Sequence, residues 1–73
     1  MVKLTEREQE ILNFLTQGYD NKEIGKEINI SKHTVKAHVS TIIRKFNAKN
    51  RTNVVYIAAL NKIINFNQTE TQN

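Results

Sequence analysis

Residues 21 to 46 read NKEIGKEINISKHTVKAHVSTIIRKF, and the stretch divides in the middle. Ile24 and Ile28 stand four apart, one helical turn, so residues 21–28 can form a short helix with one apolar face. Asn29 tolerates the left-handed backbone region and suits a turn. Ser31 follows as an N-cap, its hydroxyl able to accept an amide N–H of the next turn. Ile30 before that cap and Val35 inside the new helix occupy the two hydrophobic-staple positions. Val35, Val39, Ile42 and Phe46 then recur at steps of four, three and four, a single buried stripe along a helix over residues 32–46. Two helices joined by so tight a turn, the second apolar on one side and basic or small and polar on the other, follow the helix-turn-helix plan. Gly25 adds weight to this. Inside a helix a glycine costs about 1 kcal/mol relative to alanine, so its presence is expected where the crossing third helix comes too close for a side chain.

Outward from this unit the chain stays at helical period. Thr5 and Glu8 have the spacing of a reciprocal capping box, and Ile11, Leu12 and Leu15, with Leu4 before the cap, give a first helix over residues 5–17 its apolar stripe. Gly18 can take the left-handed conformation that ends a helix. Tyr19 leads into a second cap, Asp20, with Glu23 three residues on and Ile24 at the matching staple position. Beyond the third helix a break at Asn47 to Lys49 and a cap at Asn50 set off a fourth helix over residues 51–62. The expected fold is all-α, a compact four-helix domain with a central helix-turn-helix. It should occupy residues 1–64, and NFNQTETQN at 65–73 should be a polar, disordered tail.

Composition narrows the classes. Seventy-three residues make one domain with a modest core, so stability should be marginal. There is no cysteine for a disulfide or a thiolate metal site, which fits a reducing cytoplasm, and no proline interrupts the helices. No apolar run approaches a membrane span, and the N-terminus lacks the order of a secretory signal. The net charge of +4 is unevenly placed: residues 1–31 hold four bases against six acids, whereas residues 32–62 hold seven bases and no acid. A concentrated positive field of this kind points to a polyanionic partner, since each neutralised phosphate releases counterions condensed on a nucleic acid.

Taken in order, LTEREQEIL at 4–12, Gly18, NKEIG at 21–25, INIS at 28–31, TVKAHVSTI at 34–42, Lys45-Phe46 and NRTNVV at 50–55 resemble the LuxR/GerE-type helix-turn-helix domain. That domain is the DNA-binding effector half of NarL/FixJ-type response regulators, and the likeness runs from Leu4 to Ile64. Two positions depart from the pattern: Gly25 stands where the family more often has alanine, and Phe46 where leucine is common. The resemblance implies a bacterial, sequence-specific regulator of transcription whose third helix lies in the major groove of double-stranded DNA. Lys36, Ala37 and Ser40 match the family's base-reading positions. Their chemistry is suitable: a lysine donates to guanine O6 and N7, an alanine methyl packs on a thymine methyl, and a serine hydroxyl reads a donor or an acceptor. Phosphate contacts are implied for Asn21, Lys22, Lys32, Thr34, Arg44 and Lys45.

Helix four raises a separate question, because Val54 to Leu60 is almost continuously apolar and one face would suffice for packing. In the resembling family the same helix of a second subunit covers the other face. A homodimer through Val54, Ala58 and Arg51 on paired DNA half-sites is therefore expected, although the sequence leaves open which side faces the partner.

Other chemistries are weaker. His33 and His38 are five apart, roughly 140° around a helix, so no metal site is expected, and His38 reads as a residue at the edge of the core. Glu6 and Glu10 share a face but lack a cleft to work in, and read as solvated. No cofactor-binding loop or nucleophile motif is present, so the chain is expected not to be an enzyme. Glu8 has two open roles, the cap and an ion pair with a base such as Arg51. The alternative function is a protein-interaction module of the transcription machinery, sigma-like or bound to RNA polymerase, built on the same fold. Met1 leaves open both a free-standing regulator and the C-terminal domain of a longer one.

Overall fold

The computed structural model describes residues 2–61. Four helices follow one another: α1 (Glu6–Thr16), α2 (Asn21–Ile28), α3 (Lys32–Lys45) and α4 (Arg51–Leu60), with no strand among the described residues. The expected boundaries hold to within a residue, apart from the C-terminal end of the fourth helix. Thr5 and Gln17 are the caps of α1, Phe46 is the C-cap of α3, and Asn61 is the C-cap of α4. The expected extension of the fourth helix to Lys62, the domain limit at 64 and the tail at 65–73 lie outside the described residues.

Every helix starts on a side-chain cap, which satisfies amides that would otherwise lack a partner. Thr5 Oγ1 accepts from the Glu8 amide at 3.0 Å while Glu8 Oε1 accepts from the Thr5 amide at 2.9 Å. Asp20 and Glu23 repeat the reciprocal pair at 2.8 Å each way. Ser31 Oγ accepts from Thr34 at 3.0 Å, and Asn50 Oδ1 accepts from Asn53 at 2.8 Å. The first three helices stop by a shared device. Gly18, Asn29 and Asn47 adopt positive φ of 87°, 59° and 54°. The residue after each then donates back across the last turn: Tyr19 to the Phe14 carbonyl, Ile30 to that of Gly25 and Ala48 to that of Ile43, at 3.0 to 3.2 Å. These are Schellman closures, and the apolar contact that often accompanies them is visible at the first, where the Phe14 and Tyr19 rings lie 4.9 Å apart.

α3 is the central element and packs on each of the other three helices. The core joins Ile11, Leu12 and Leu15 of α1, Ile24 of α2, Val35, Val39 and Ile42 of α3, Phe46, and Val54 and Ala58 of α4. All the expected stripe residues are there, with Leu4, Ile28 and Ile30 half-buried around its edge. At about 1.5–3 kcal/mol per fully buried aliphatic side chain, this small cluster supplies most of the drive to fold.

Gly25 is buried, but the reason differs in detail from the crossing of helix three. A Cβ there would stand 2.5 Å from the Ile30 carbonyl oxygen and 3.5 Å from the Lys32 amide nitrogen. The close neighbour is thus the backbone of the turn itself. The absent side chain lets the turn fold back over α2 and so fixes where α3 begins.

Candidate nucleic-acid interface

With Val35, Val39 and Ile42 directed into the core, α3 turns its remaining side chains outward. Successive residues rotate by about 100° around a helix. Lys36, Ser40 and Ala37 consequently share an arc of about 100° on the side away from that stripe, and all three are exposed. His33 and Arg44 fall within the same arc and are exposed too, while Lys32, exposed in the first turn, stands between that arc and the stripe. No acid occurs anywhere in α3, so nothing on the helix offsets the charge of its lysines and arginine. The Ser31 cap leaves α3 well terminated at the end nearest Lys32 and Lys36. Lys22 and Thr34 are exposed near that end, with the Thr34 hydroxyl accepting from Ser31 Oγ at 3.0 Å.

The structure separates the remaining expected site residues from this surface. Lys45 sits about half a turn from Lys36 in angle. Its ammonium is engaged with Glu8 Oε1 at 2.6 Å and the Lys3 carbonyl at 3.1 Å. In this arrangement Lys45 closes the C-terminal end of α3 onto α1 and already has partners where a phosphate contact is expected. Glu8 therefore fills both of its open roles at once, as cap and as ion-pair partner, but its base is Lys45 and not Arg51. The Lys45 ammonium, and after it the Thr5 amide, hold the Glu8 carboxyl below the ordinary carboxylate range although burial opposes this. Asn21 opens α2 but is half-buried, and its Oδ1 accepts from the Arg51 guanidinium, so it acts at least as much as a brace as a surface donor.

Two of the three expected dimer residues are corrected by their burial. Val54 and Ala58 are wholly buried in the chain's own core and have no surface to offer. Arg51 is half-buried and donates to the Tyr19 carbonyl and to Asn21, tying the start of α4 to the turn between α1 and α2. The face of α4 that does reach solvent carries Thr52, Tyr56, Ala59 and Leu60, with Tyr56 62% and Leu60 65% exposed. These are the two large apolar side chains left most open among the described residues.

Two residues of the basic surface were passed over in the sequence. His33 lies beside Lys36 and Ala37 on the outward side of α3, a position that its distance from Val35 and Val39 already encodes. Lys26, one turn after Lys22 on α2, comes to the mouth of a shallow depression bordered by the turn and by Lys32. Its charge was counted, but which face of α2 it shares depends on the turn geometry. His38 is half-buried, in keeping with an edge-of-core position. Among the described residues no group of three or more potential ligands gathers around a metal-sized space, and no helix is long and apolar enough to cross a membrane.

Comparison with known proteins agrees with this architecture. Residues 2–58 match the family described as bacterial regulatory proteins, luxR family. The transcriptional regulatory protein DegU of Brevibacillus brevis is 50% identical over 52 residues, 71% of this chain and 22% of that protein. The transcriptional activator protein BjaR1 of Bradyrhizobium diazoefficiens is 41% identical over 63 residues, 86% of this chain and 26% of its own length. The transcriptional regulatory protein LiaR of Bacillus subtilis is 42% identical over 62 residues, 85% and 29% respectively. The chain thus spans less than a third of the length of these relatives. With its helix-turn-helix in place and most of its length matched, the chain belongs to the luxR family of bacterial regulatory proteins, a family of DNA-binding regulators of transcription.

Proposed function

We propose that this chain is a sequence-specific DNA-binding domain that lays α3 in the major groove, reading bases through Lys36, Ala37 and Ser40. The observation that carries this reading is the outward face of α3: exposed, free of acids and basic at intervals, on a helix whose opposite stripe is locked in the core. A helix fits the major groove, and the three side-chain types can each address a base edge. Lys22, Lys32 and Arg44 flank that face, and in this reading they contact phosphates, which positions the domain without specifying sequence.

The active form is a homodimer on paired half-sites, formed through the outer face of α4. Thr52, Tyr56, Ala59 and Leu60 make an uncharged strip that water would leave more favourably on pairing, and a two-fold contact uses the same strip from both copies. Selection of bound sequences from random duplex DNA at a fixed salt concentration tests the whole reading. The expected product is a preferred motif repeated as two half-sites. A single unrepeated motif would remove the dimer, and enrichment of no motif would remove sequence-specific recognition. In the latter case binding of the chain to RNA polymerase would favour the interaction-module alternative.

A further inference from the structure

The shallow depression between α2 and the start of α3 is lined by Lys22, Lys26 and Lys32 together with Gly25, Asn29 and Ile30, and offers about 370 Å³ open to solvent on one side. Its bordering charges are all positive, and none of the described residues lining it is acidic. Gly25 lines it, and a Cβ there would press on the Ile30 carbonyl of the turn. Three lysines bordering one small depression make a site whose charge favours an anion. Lys32 stands one turn before Lys36, so the hollow lies at the N-terminal end of the helix that carries the proposed reading face.

We infer that this three-lysine hollow seats a phosphodiester of the DNA backbone, with Lys26 as a phosphate ligand that closes the site from α2. The inference rests on the proposed placement of α3 in the groove and extends it. A duplex that receives Lys36 and Ser40 must carry one of its strands past the N-terminal end of α3, where Lys32 and the hollow lie. That continuity favours a backbone phosphate over a free anion. Glu23 and Glu27 are exposed on α2 next to Lys22 and Lys26, but neither borders the hollow. The contact is sequence-independent, so it strengthens binding to every duplex alike and sets how far the turn approaches the strand.

The test compares Lys26→Gln with Lys49→Gln, which removes the same charge from an exposed site in the α3–α4 connection. Affinities are measured across a salt series for a duplex chosen by the wild-type chain and for a scrambled one. Circular dichroism confirms that both variants fold. The expected result for Lys26→Gln is a similar fold-loss on both duplexes and a salt slope smaller by about 1, with Lys49→Gln close to wild type. An unchanged slope for Lys26→Gln, or an equal reduction for Lys49→Gln, overturns the site while leaving DNA binding itself intact. Titration with inorganic phosphate supplies a second arm: tight capture of the free ion, lost in Lys26→Gln with the duplex slope unaltered, would reassign the hollow to a free anion. Failure of the wild-type chain to bind either duplex would instead remove the reading on which the site depends.

Discussion

At the scale of single residues, two positions hold the domain in shape by means that substitution can expose. Gly25 is one. Alanine there gains about 1 kcal/mol of helix propensity, but its Cβ would meet a backbone oxygen at 2.5 Å, and backbone cannot rotate aside as a side chain can. Overpacking of this kind costs about 1–3 kcal/mol, so Gly25→Ala should lower stability despite the better helix former. Thermal denaturation should place its midpoint a few degrees below wild type, and a rise would mean that the turn relaxes freely. Glu8 is the other. Its carboxyl is buried, paired with Lys45 and bonded to the Thr5 amide, and its pKa lies below the ordinary carboxylate range. A group whose folded pKa is depressed adds stability above its unfolded pKa and loses that contribution as pH falls through the folded one. Acid titration should therefore show a plateau from neutrality to about pH 5 and a decline below it. Glu8→Gln should be less stable at neutral pH by on the order of 1 kcal/mol, since water reaches Lys45 and screens the pair, and its decline in acid should be shallower. An unaltered acid limb would assign the loss of stability to other carboxylates.

At the scale of the elements, the starts and stops of helices were legible because they are local. Thr5 with Glu8, Asp20 with Glu23, Ser31 and Asn50 cap amides only three residues away, and Gly18 and Asn29 announce their left-handed turns by residue type alone. The stripe of α3 was legible because apolar and polar residues alternate cleanly around it. α4 was not, because a run from Val54 to Leu60 that is apolar on most sides gives periodicity nothing to choose between. Val54 and Ala58 proved to be the core side, leaving Tyr56 and Leu60 outside. The two sides respond differently to the same substitution. Val54→Asp buries an unpaired charge and should abolish cooperative unfolding. Tyr56→Asp should keep native circular dichroism and weaken binding to a paired site more than to a half-site. Native-like unfolding of Val54→Asp would contradict the core assignment, and equal losses on the two DNAs would contradict the dimer face.

At the scale of the whole molecule, contacts between residues far apart in sequence escaped the reading. Lys45 looked like one more base on a basic helix until the fold brought Glu8 and the Lys3 carbonyl to it, and Arg51 looked available until Tyr19 and Asn21 claimed it. Neither pairing follows from spacing, since each spans thirty residues or more. Lys22, Lys26, Lys32, Lys36 and Arg44 remain exposed on α2 and α3, with Lys3, Arg7 and Lys49 exposed elsewhere. The central claim, that this outward face of α3 enters a duplex, is tested most directly by following backbone amide resonances as a selected duplex is added to the isotopically labelled chain. The account predicts the largest shifts at Lys32, Lys36, Ala37 and Ser40, with Glu6, Arg7 and Glu10 on the outer side of α1 nearly unmoved. Shifts concentrated on α1, with α3 unperturbed at saturation, would contradict it.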